Sequence, residues 1–323
     1  MKALALISGG LDSALAAKLM QNQGTEVVGL YFQIPFCNYK KEMLADLGIE
    51  IKCIDIKKEF LEVLKNPRYG FGANMNPCID CKIFMLSKTK ELMSELKAKF
   101  VITGEVLGQR PMSQHRQALE IIEKESGLAG LILRPLSAKL LLETIPEKQG
   151  WVRRQELFDF SGRTRKPQMA LAEKLNIKKY PNPSGGCLLT DPEFAKRLKE
   201  LITQQELSTD NIELLKIGRH FRLAPNTKLV VGRNEKENEE LFNKALEGDY
   251  LFFPTDELAG PTSLGRGKFS DDLIKLSCQI TCRYCDLNGA ANTGIVYKKV
   301  FQPEEKVLKV SVIEEKQLIT LRI

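Results

Sequence analysis

The chain has 323 residues, of which 43% are hydrophobic and 28% charged, and its net charge is +7. That apolar content excludes a disordered chain, and the length suffices for two domains, each with its own core. No apolar run is long enough to cross a bilayer, and the basic excess leans toward a polyanionic partner without demanding one.

The first apolar run, in MKALALISGG, is too short for the core of an export signal and breaks at once into Ser-Gly-Gly, so it is read as a buried strand. A cytosolic location is expected, with the eight cysteines reduced and serving as ligands, nucleophiles or core residues rather than disulfides. KALALI is followed by the amphipathic SALAAKLMQNQ, EVVGLYF by KKEMLADLG, and IEIKCIDI by EFLEVLK. KFVITGE and LAGLILRPL continue the alternation to about Leu136. Strands alternating with helices predict an α/β domain, a parallel doubly wound sheet whose ligands bind beyond the carboxyl ends of the strands.

Residues 138–181 read as helical and basic, interrupted by WVRRQE and SGRTRKPQ, and KKYPNPSGGCLLTDPEF reads as a turn-rich loop. After Glu206 the texture changes to the strand-like pieces HFRLA, TKLVVGR and YLFFP, a helix from Lys236 to Leu246, and a closing VLKVSVIEEKQLITLRI expected to form a hairpin. The predicted division is residues 1–205, carrying nucleotide and cysteine chemistry, and 206–323, a smaller α+β domain.

SGGLDS, the run Ser8, Gly9, Gly10, Leu11, Asp12 and Ser13, falls between the first strand and the first helix. Helix N-terminal amides and a glycine turn make an anion site there. Gly9 and Gly10 let the backbone approach a phosphate, the two hydroxyls add donors, and Asp12 is placed to hold Mg²⁺. The plain alternative is an ordinary strand-to-helix turn in which Asp12 complements the helix dipole. The run is neither a Walker loop nor a dinucleotide fingerprint.

SGGLDS in this context resembles the PP-loop ATP pyrophosphatase superfamily, of the adenine nucleotide alpha hydrolase-like fold. The resemblance implies that the loop grips the pyrophosphate of ATP while a substrate oxygen attacks the α-phosphorus. TGEVLGQRPMSQ, from Thr103 to Gln114, and LILRPL, from Leu131 to Leu136, are similar to segments of tRNA 4-thiouridine synthases. By that resemblance Gly104 and Gln109 are expected nucleotide contacts. Arg134 is read either as a third contact or as a surface ion pair.

NPCIDCK, residues 76–82, poses the choice between disulfide, zinc corner, redox pair and metal cluster, all of which use C-x-x-C. NP-x-x-x-C ending at Cys81, with PSGGC ending at Cys187, resembles tRNA 2-thiouridylases, in which two such cysteines form a persulfide pair. The additional Cys78 departs from that plan. Cys78, Cys81 and Cys187 together resemble thiolation enzymes that hold a [4Fe-4S] cluster by three thiolates, leaving one iron open. The cluster is the preferred reading, with a cysteine persulfide and structural zinc as alternatives. Asp12, Cys81 and Cys187 are the expected catalytic residues.

Cys37 and Cys53 lie in or beside apolar strands and are expected in the core. Cys278, Cys282 and Cys285, in CQITCRYC, resemble a radical SAM motif, but their spacing also places them on one helix face, and core packing is preferred. The segment from about Glu213 to Asp286 resembles the NFACT-R type of domain found in ribosome quality-control factors. Arg219, Arg222, Arg233 and Arg266, beside strand ends, are its expected phosphate contacts.

These resemblances imply an ATP-dependent tRNA sulfurtransferase using ATP, Mg²⁺ and a [4Fe-4S] cluster. Its partners would be tRNA and a sulfur donor, either sulfide or a persulfide carrier protein, and no membrane. The alternatives are a PP-loop enzyme acting on a small molecule and a non-catalytic RNA- or ribosome-binding factor.

Overall fold

The computed structural model describes every residue except 37–46, 179, 181–186, 256–257, 288 and 290–291. It divides into two compact units, Met1–Asp191 and Pro192–Ile323, so the second unit begins ahead of the expected residue 206.

The described elements of the first unit begin with β1 (Lys2–Leu6), α1 (Leu11–Asn22), β2 (Glu26–Gln33), β3 (Glu50–Asp55) and α2 (Lys57–Lys65). They continue with α3 (Cys78–Glu95), β4 (Phe100–Ile102), α4 (Arg116–Glu125), β5 (Ile132–Leu133), α5 (Ile145–Lys148) and α6 (Lys166–Lys174). The strands form one sheet in the order β3-β2-β1-β4-β5, every pair parallel. The expected doubly wound α/β sheet is what forms. Ala3 and Ala5 of β1 join Phe100 and Ile102 of β4 in a core with Leu15 of α1 and Leu171 of α6. The alternate residues Leu4, Leu6 and Val101 are buried too, as strands covered on both faces require. The order reverses between β1 and β4, and a crevice opens at such a switch point beyond the carboxyl ends of the strands.

Two expectations for this unit need correcting. Cys53 is exposed, because β3 is the edge strand. Among its described residues the stretch 138–181 holds only short helices, α5 and α6, with single helical turns at Ala138–Leu140 and Arg154–Glu156. Pro146 and Pro167 stand in the first turns of α5 and α6 and start them, while Gly150 and Gly162 at positive φ interrupt the chain between. The expected helix KKEMLADLG and Cys37 lie outside the described residues.

The second unit comprises α7 (Pro192–Thr203), α8 (Thr209–Leu215), β6 (Arg219–Ala224), β7 (Thr227–Val231), α9 (Glu235–Asn243) and β8 (Tyr250–Pro254). β9 (Ser263–Gly267), α10 (Asp271–Cys282), β10 (Thr293–Lys299), β11 (Glu305–Val310) and α11 (Glu315–Leu321) follow. Its antiparallel sheet runs β11-β10-β8-β9-β7-β6. Strand alternation sends Leu229, Val231 and Phe252 into a core with α10, and Val230 and Leu251 into a second cluster on the opposite face. Ser208, Asn234 and Ser270 cap α8, α9 and α10 through their side chains. The expected closing hairpin does not form. β11 pairs with β10, and the residues after it wind into α11, whose Leu318 is buried.

Candidate active site

β1 ends at Leu6, and the chain turns through Ser8–Gly10 into α1. Gly9 has φ +76°, a conformation that glycine adopts without a steric penalty. Gly10 is the extended N-cap, and no side chain caps the helix, so the first amides of α1 remain available to a ligand. The hydroxyls brace the turn. Ser13 Oγ donates to Gly10 O at 2.8 Å and accepts from Ser8 N at 3.3 Å, and Ser8 Oγ accepts from Gly10 N at 3.3 Å. Leu11 is buried beneath the loop and anchors it to the core.

The loop after β4 lies against this turn. A Cβ on Gly104 would meet the carbonyl carbon of Asp12 and the amide of Ser13 at 2.4 Å, so only glycine permits the approach. Gln109, farther along the loop, donates through Nε2 to Asp12 Oδ2 at 2.9 Å. Arg165 Nη2 stands 3.5 Å from the same oxygen, and Gln168 Nε2 is 3.5 Å from Gln109 Oε1. Asp12 Oδ1, Arg165 Nε and Gln168 Oε1 are buried without hydrogen-bond partners among the described residues. Leaving each such group unpaired costs about 1–3 kcal/mol. All three gather around the phosphate loop, where hydrogen-bonding capacity is left unused by the described residues.

Glu105 is 2% exposed and sits between Arg134, whose Nε is 3.0 Å away, and Lys82 of α3 at 3.7 Å. Burial acts to raise its pKa, but Lys82 and Arg134, with a hydrogen bond from Thr103, outweigh it and hold the carboxyl below its usual range. Arg134 also pairs with Glu123 and is 3% exposed. It is a buried cation, not a surface ion pair: Nε and Nη1 meet protein carboxylates, while Nη2 is buried without a hydrogen-bond partner among the described residues.

Cys78 opens α3, and Cys81 stands in its first turn. Cys187, beyond the undescribed 181–186, is brought to them by the backbone around it: Met75 N donates to Leu189 O at 3.1 Å, and Asn74 Nδ2 to Thr190 O at 2.7 Å. Leu188 N donates to Phe36 O at 3.4 Å, which ties the same turn to the segment leaving β2. Burial raises the Cys78 thiol, Arg110 lowers it, and the neighbouring Cys187 raises it again. Burial, then Cys187, pushes Cys81 up to about 12, with Lys82 opposing. The three cysteines expected to act together are therefore within one another's electrostatic reach. As donors they suit a thiolate-bound cluster, but among the described residues no group of three His, Cys, Asp or Glu side chains is spaced to hold a metal ion.

The remaining candidates fall elsewhere. Cys278 and Cys282 are fully buried in the α10 core with Cys285, and burial pushes Cys278 and Cys285 up to about 12. Core packing is their role. His115 caps α4, accepting from Ala118 N through Nδ1, and His220 is buried with its ring against Ile217 O. The four arginines expected to contact phosphate already have internal partners. Arg222 pairs with Glu200 and Glu206, Arg266 with Asp249 and Arg233 with Glu237. Arg219 donates to Gly232 O and lies over the Tyr284 ring. Arg165 and Gln168 were not expected at the site. Their signal was the basic loop SGRTRKPQ, but only packing brings it to Asp12.

Residues 1–145 match the family model for the thiamine biosynthesis protein ThiI, and residues 218–321 match that for the NFACT protein RNA-binding domain. The first unit is thus ThiI-like and the second NFACT-like. Curated relatives include a tRNA-specific 2-thiouridylase of a Nitratiruptor species, 34% identical over 32% of this chain and 34% of its own length. A probable tRNA sulfurtransferase of Thermococcus kodakarensis is 29% identical over 42% of this chain and 36% of its own. The chain therefore spans about a third of the length of these ThiI-unit relatives. Among solved structures, a 4-thiouridine synthetase–RNA complex with bound ATP aligns over 66% of this chain and 53% of its own, at 18% identity and TM-score 0.36. No helix among the described residues is long and apolar enough to cross a membrane.

Proposed function

We propose that this chain is an ATP-dependent tRNA sulfurtransferase, and one observation carries the proposal. Residues of the loop after β4 reach both halves of the required chemistry: Gln109 holds Asp12 of the phosphate loop, and Glu105 pairs at 3.7 Å with Lys82, which follows Cys81 in α3. A nucleotide-activating site and a sulfur site joined by one loop suit a reaction that activates an oxygen and then replaces it with sulfur. The ThiI-like match and the thiolating relatives support the same reading.

In this reading the amides of α1 and the turn Ser8–Gly10 receive the β- and γ-phosphates of ATP. The unpartnered Asp12 Oδ1 is the oxygen that would hold Mg²⁺, which when bound neutralises charge developing on the pyrophosphate. A uridine carbonyl oxygen attacks the α-phosphorus, expelling pyrophosphate and leaving the oxygen bonded to AMP. Sulfur then adds to the ring carbon, and AMP departs with the original oxygen. Cys78, Cys81 and Cys187 are the donors that would hold a [4Fe-4S] cluster, which when bound supplies an open iron for hydrosulfide; they would have to close to ligand spacing to do so. In the alternative chemistry one of these cysteines carries a persulfide, the outer sulfur goes to the base, and the two cysteines are left as a disulfide for an external thiol to reduce. The NFACT-like unit and the net charge support tRNA as the partner, and a tRNA substrate goes with a cytosolic protein.

The test is tRNA-dependent ATP–pyrophosphate exchange. Asp12→Asn should leave the fold intact and abolish exchange, since the amides stay while the carboxylate that organises Mg²⁺ is lost. Exchange at the wild-type rate in this variant would overturn the assignment of the loop.

A further inference from the structure

Three of the four strand-end arginines of the second unit are paired with carboxylates and Arg219 is held by a carbonyl and a ring, so cations able to meet an RNA backbone are also sought in the first unit. In the first unit Arg68, Arg153 and Arg154 each hold a glutamate, and Arg134 holds two. Arg110, Arg163 and Lys166 are exposed and make no side-chain hydrogen bond or ion pair among the described residues.

These three share one rim. Leu107 and Ser161 form a parallel bridge, and Gly162 N donates to Leu107 O at 2.8 Å. A Cβ on Gly108 would already lie 3.5 Å from Gly162 N, so glycines at both positions let the strips run side by side. Ser137 fastens them from below, its Oγ donating to Phe160 O at 2.6 Å and accepting from Leu107 N at 2.9 Å. Each strip sends one side chain inward and shows others to solvent. Gln109 and Arg165 turn to Asp12, whereas Arg110, beside Gln109, and Arg163 and Lys166, close to Arg165, have no such partner among the described residues.

We propose that Arg110, Arg163 and Lys166 form a phosphodiester-binding rim that grips the RNA backbone beside the nucleotide being activated. The proposal rests on the thiolation reading above. Three cations with no ion-pair partner among the described residues, beside the site, match a polyanion lying across it. The buried groups around Asp12 match the triphosphate within. Phosphate contacts of this kind fix register and orientation, here holding the target base where its carbonyl faces the α-phosphorus.

The experiment measures tRNA affinity of the full chain across a salt series for the wild type and for the triple variant Arg110→Ala, Arg163→Ala, Lys166→Ala. A control variant carries the same charge change at exposed lysines elsewhere, Lys90→Ala, Lys99→Ala, Lys124→Ala. The rim variant should bind more weakly and lose about 2–3 units of the slope of log K against log salt, at roughly 0.7–0.9 per phosphate contact. The control should keep the wild-type slope. A wild-type slope in the rim variant, or an equal loss in the control, overturns the rim while leaving the sulfurtransferase reading standing. ATP affinity, measured alongside, separates the two sources of phosphate: loss of ATP binding with tRNA binding intact would assign these cations to the nucleotide and overturn the proposal. A wild-type chain that does not bind tRNA would bring down the sulfurtransferase reading itself, and the rim with it.

Discussion

Gly104→Ala isolates the contact that positions the phosphate loop. The added Cβ would stand 2.4 Å from both the carbonyl carbon of Asp12 and the amide nitrogen of Ser13. Carbon contacts relax at about 3.5 Å, so the first turn of α1 or the loop after β4 must move by about 1 Å. Both neighbouring atoms are backbone, and neither can swing aside as a side chain would. Gly104 has no positive φ, so the alanine introduces no backbone strain of its own, and the overpacking cost falls in the usual range of about 1–3 kcal/mol. The functional effect should be larger than the stability effect. Displacing a reacting group by about 1 Å costs on the order of 100-fold in rate, and the displaced atoms here are the amides and carboxylate proposed to meet the triphosphate. Thermal unfolding should therefore show a folded protein with a modestly lowered midpoint, and ATP–pyrophosphate exchange should drop about 100-fold. Exchange within a factor of a few of wild type, in a variant shown to be folded, would refute the reasoning that this contact sets the loop.

Replacing Cys78, Cys81 or Cys187 with Ala should abolish thiolation of tRNA while leaving ATP–pyrophosphate exchange in place. If a cluster is held there, each replacement should also remove bound iron, measured after anaerobic purification, whereas unchanged thiolation without Cys78 would return the chemistry to a two-cysteine persulfide. Cys278→Ala, deep in the α10 core, should lower stability by about 1 kcal/mol and leave thiolation unchanged, read by denaturant unfolding and nucleoside analysis. Lys228→Met tests the buried lysine of β7, which is 7% exposed. Burial lowers its pKa from 10.5 to about 8, with Glu200 opposing. The unfolded chain then holds more protons between about pH 8 and 10.5, so this residue makes stability rise with pH through that window, by up to roughly 3 kcal/mol. Methionine should remove that rise and stabilise the fold at neutral pH, and an unaltered pH profile of unfolding would count against the burial argument.

SGGLDS was legible because the chemistry is local: the glycines, hydroxyls and carboxylate that shape the turn lie within Ser8–Ser13, and strand periodicity on one side and helix periodicity on the other fix its setting. The C-x-x-C in the first turn of α3 was legible for the same reason. Cys53 was misjudged because sequence shows a strand's pattern but not its place in the sheet, and β3 lies at an edge. The internal partners of the strand-end arginines were hidden for a related cause: Arg222 meets Glu200 and Glu206 only once α7 packs against the sheet, and Arg266 meets Asp249 across β8 and β9. Arg165 and Gln168 were missed because Arg165 reaches Asp12 across 153 positions of sequence and Gln168 reaches Gln109 across 59, through the pairing of two loops that carries no periodic signal. The closing helix α11 was hidden by β-branched residues, which favour strands in isolation but yield to tertiary packing.

The central claim is that this chain places sulfur in tRNA, and the most direct measurement is the nucleoside content of tRNA incubated with purified protein, ATP, Mg²⁺ and a sulfide or persulfide donor. Tracing labelled sulfur into the digest by mass spectrometry identifies the product. The account predicts a thiouridine that forms only with ATP present and is lost in both Asp12→Asn and Cys187→Ala. A folded protein that exchanges pyrophosphate in the presence of tRNA yet leaves no sulfur in any nucleoside would contradict it.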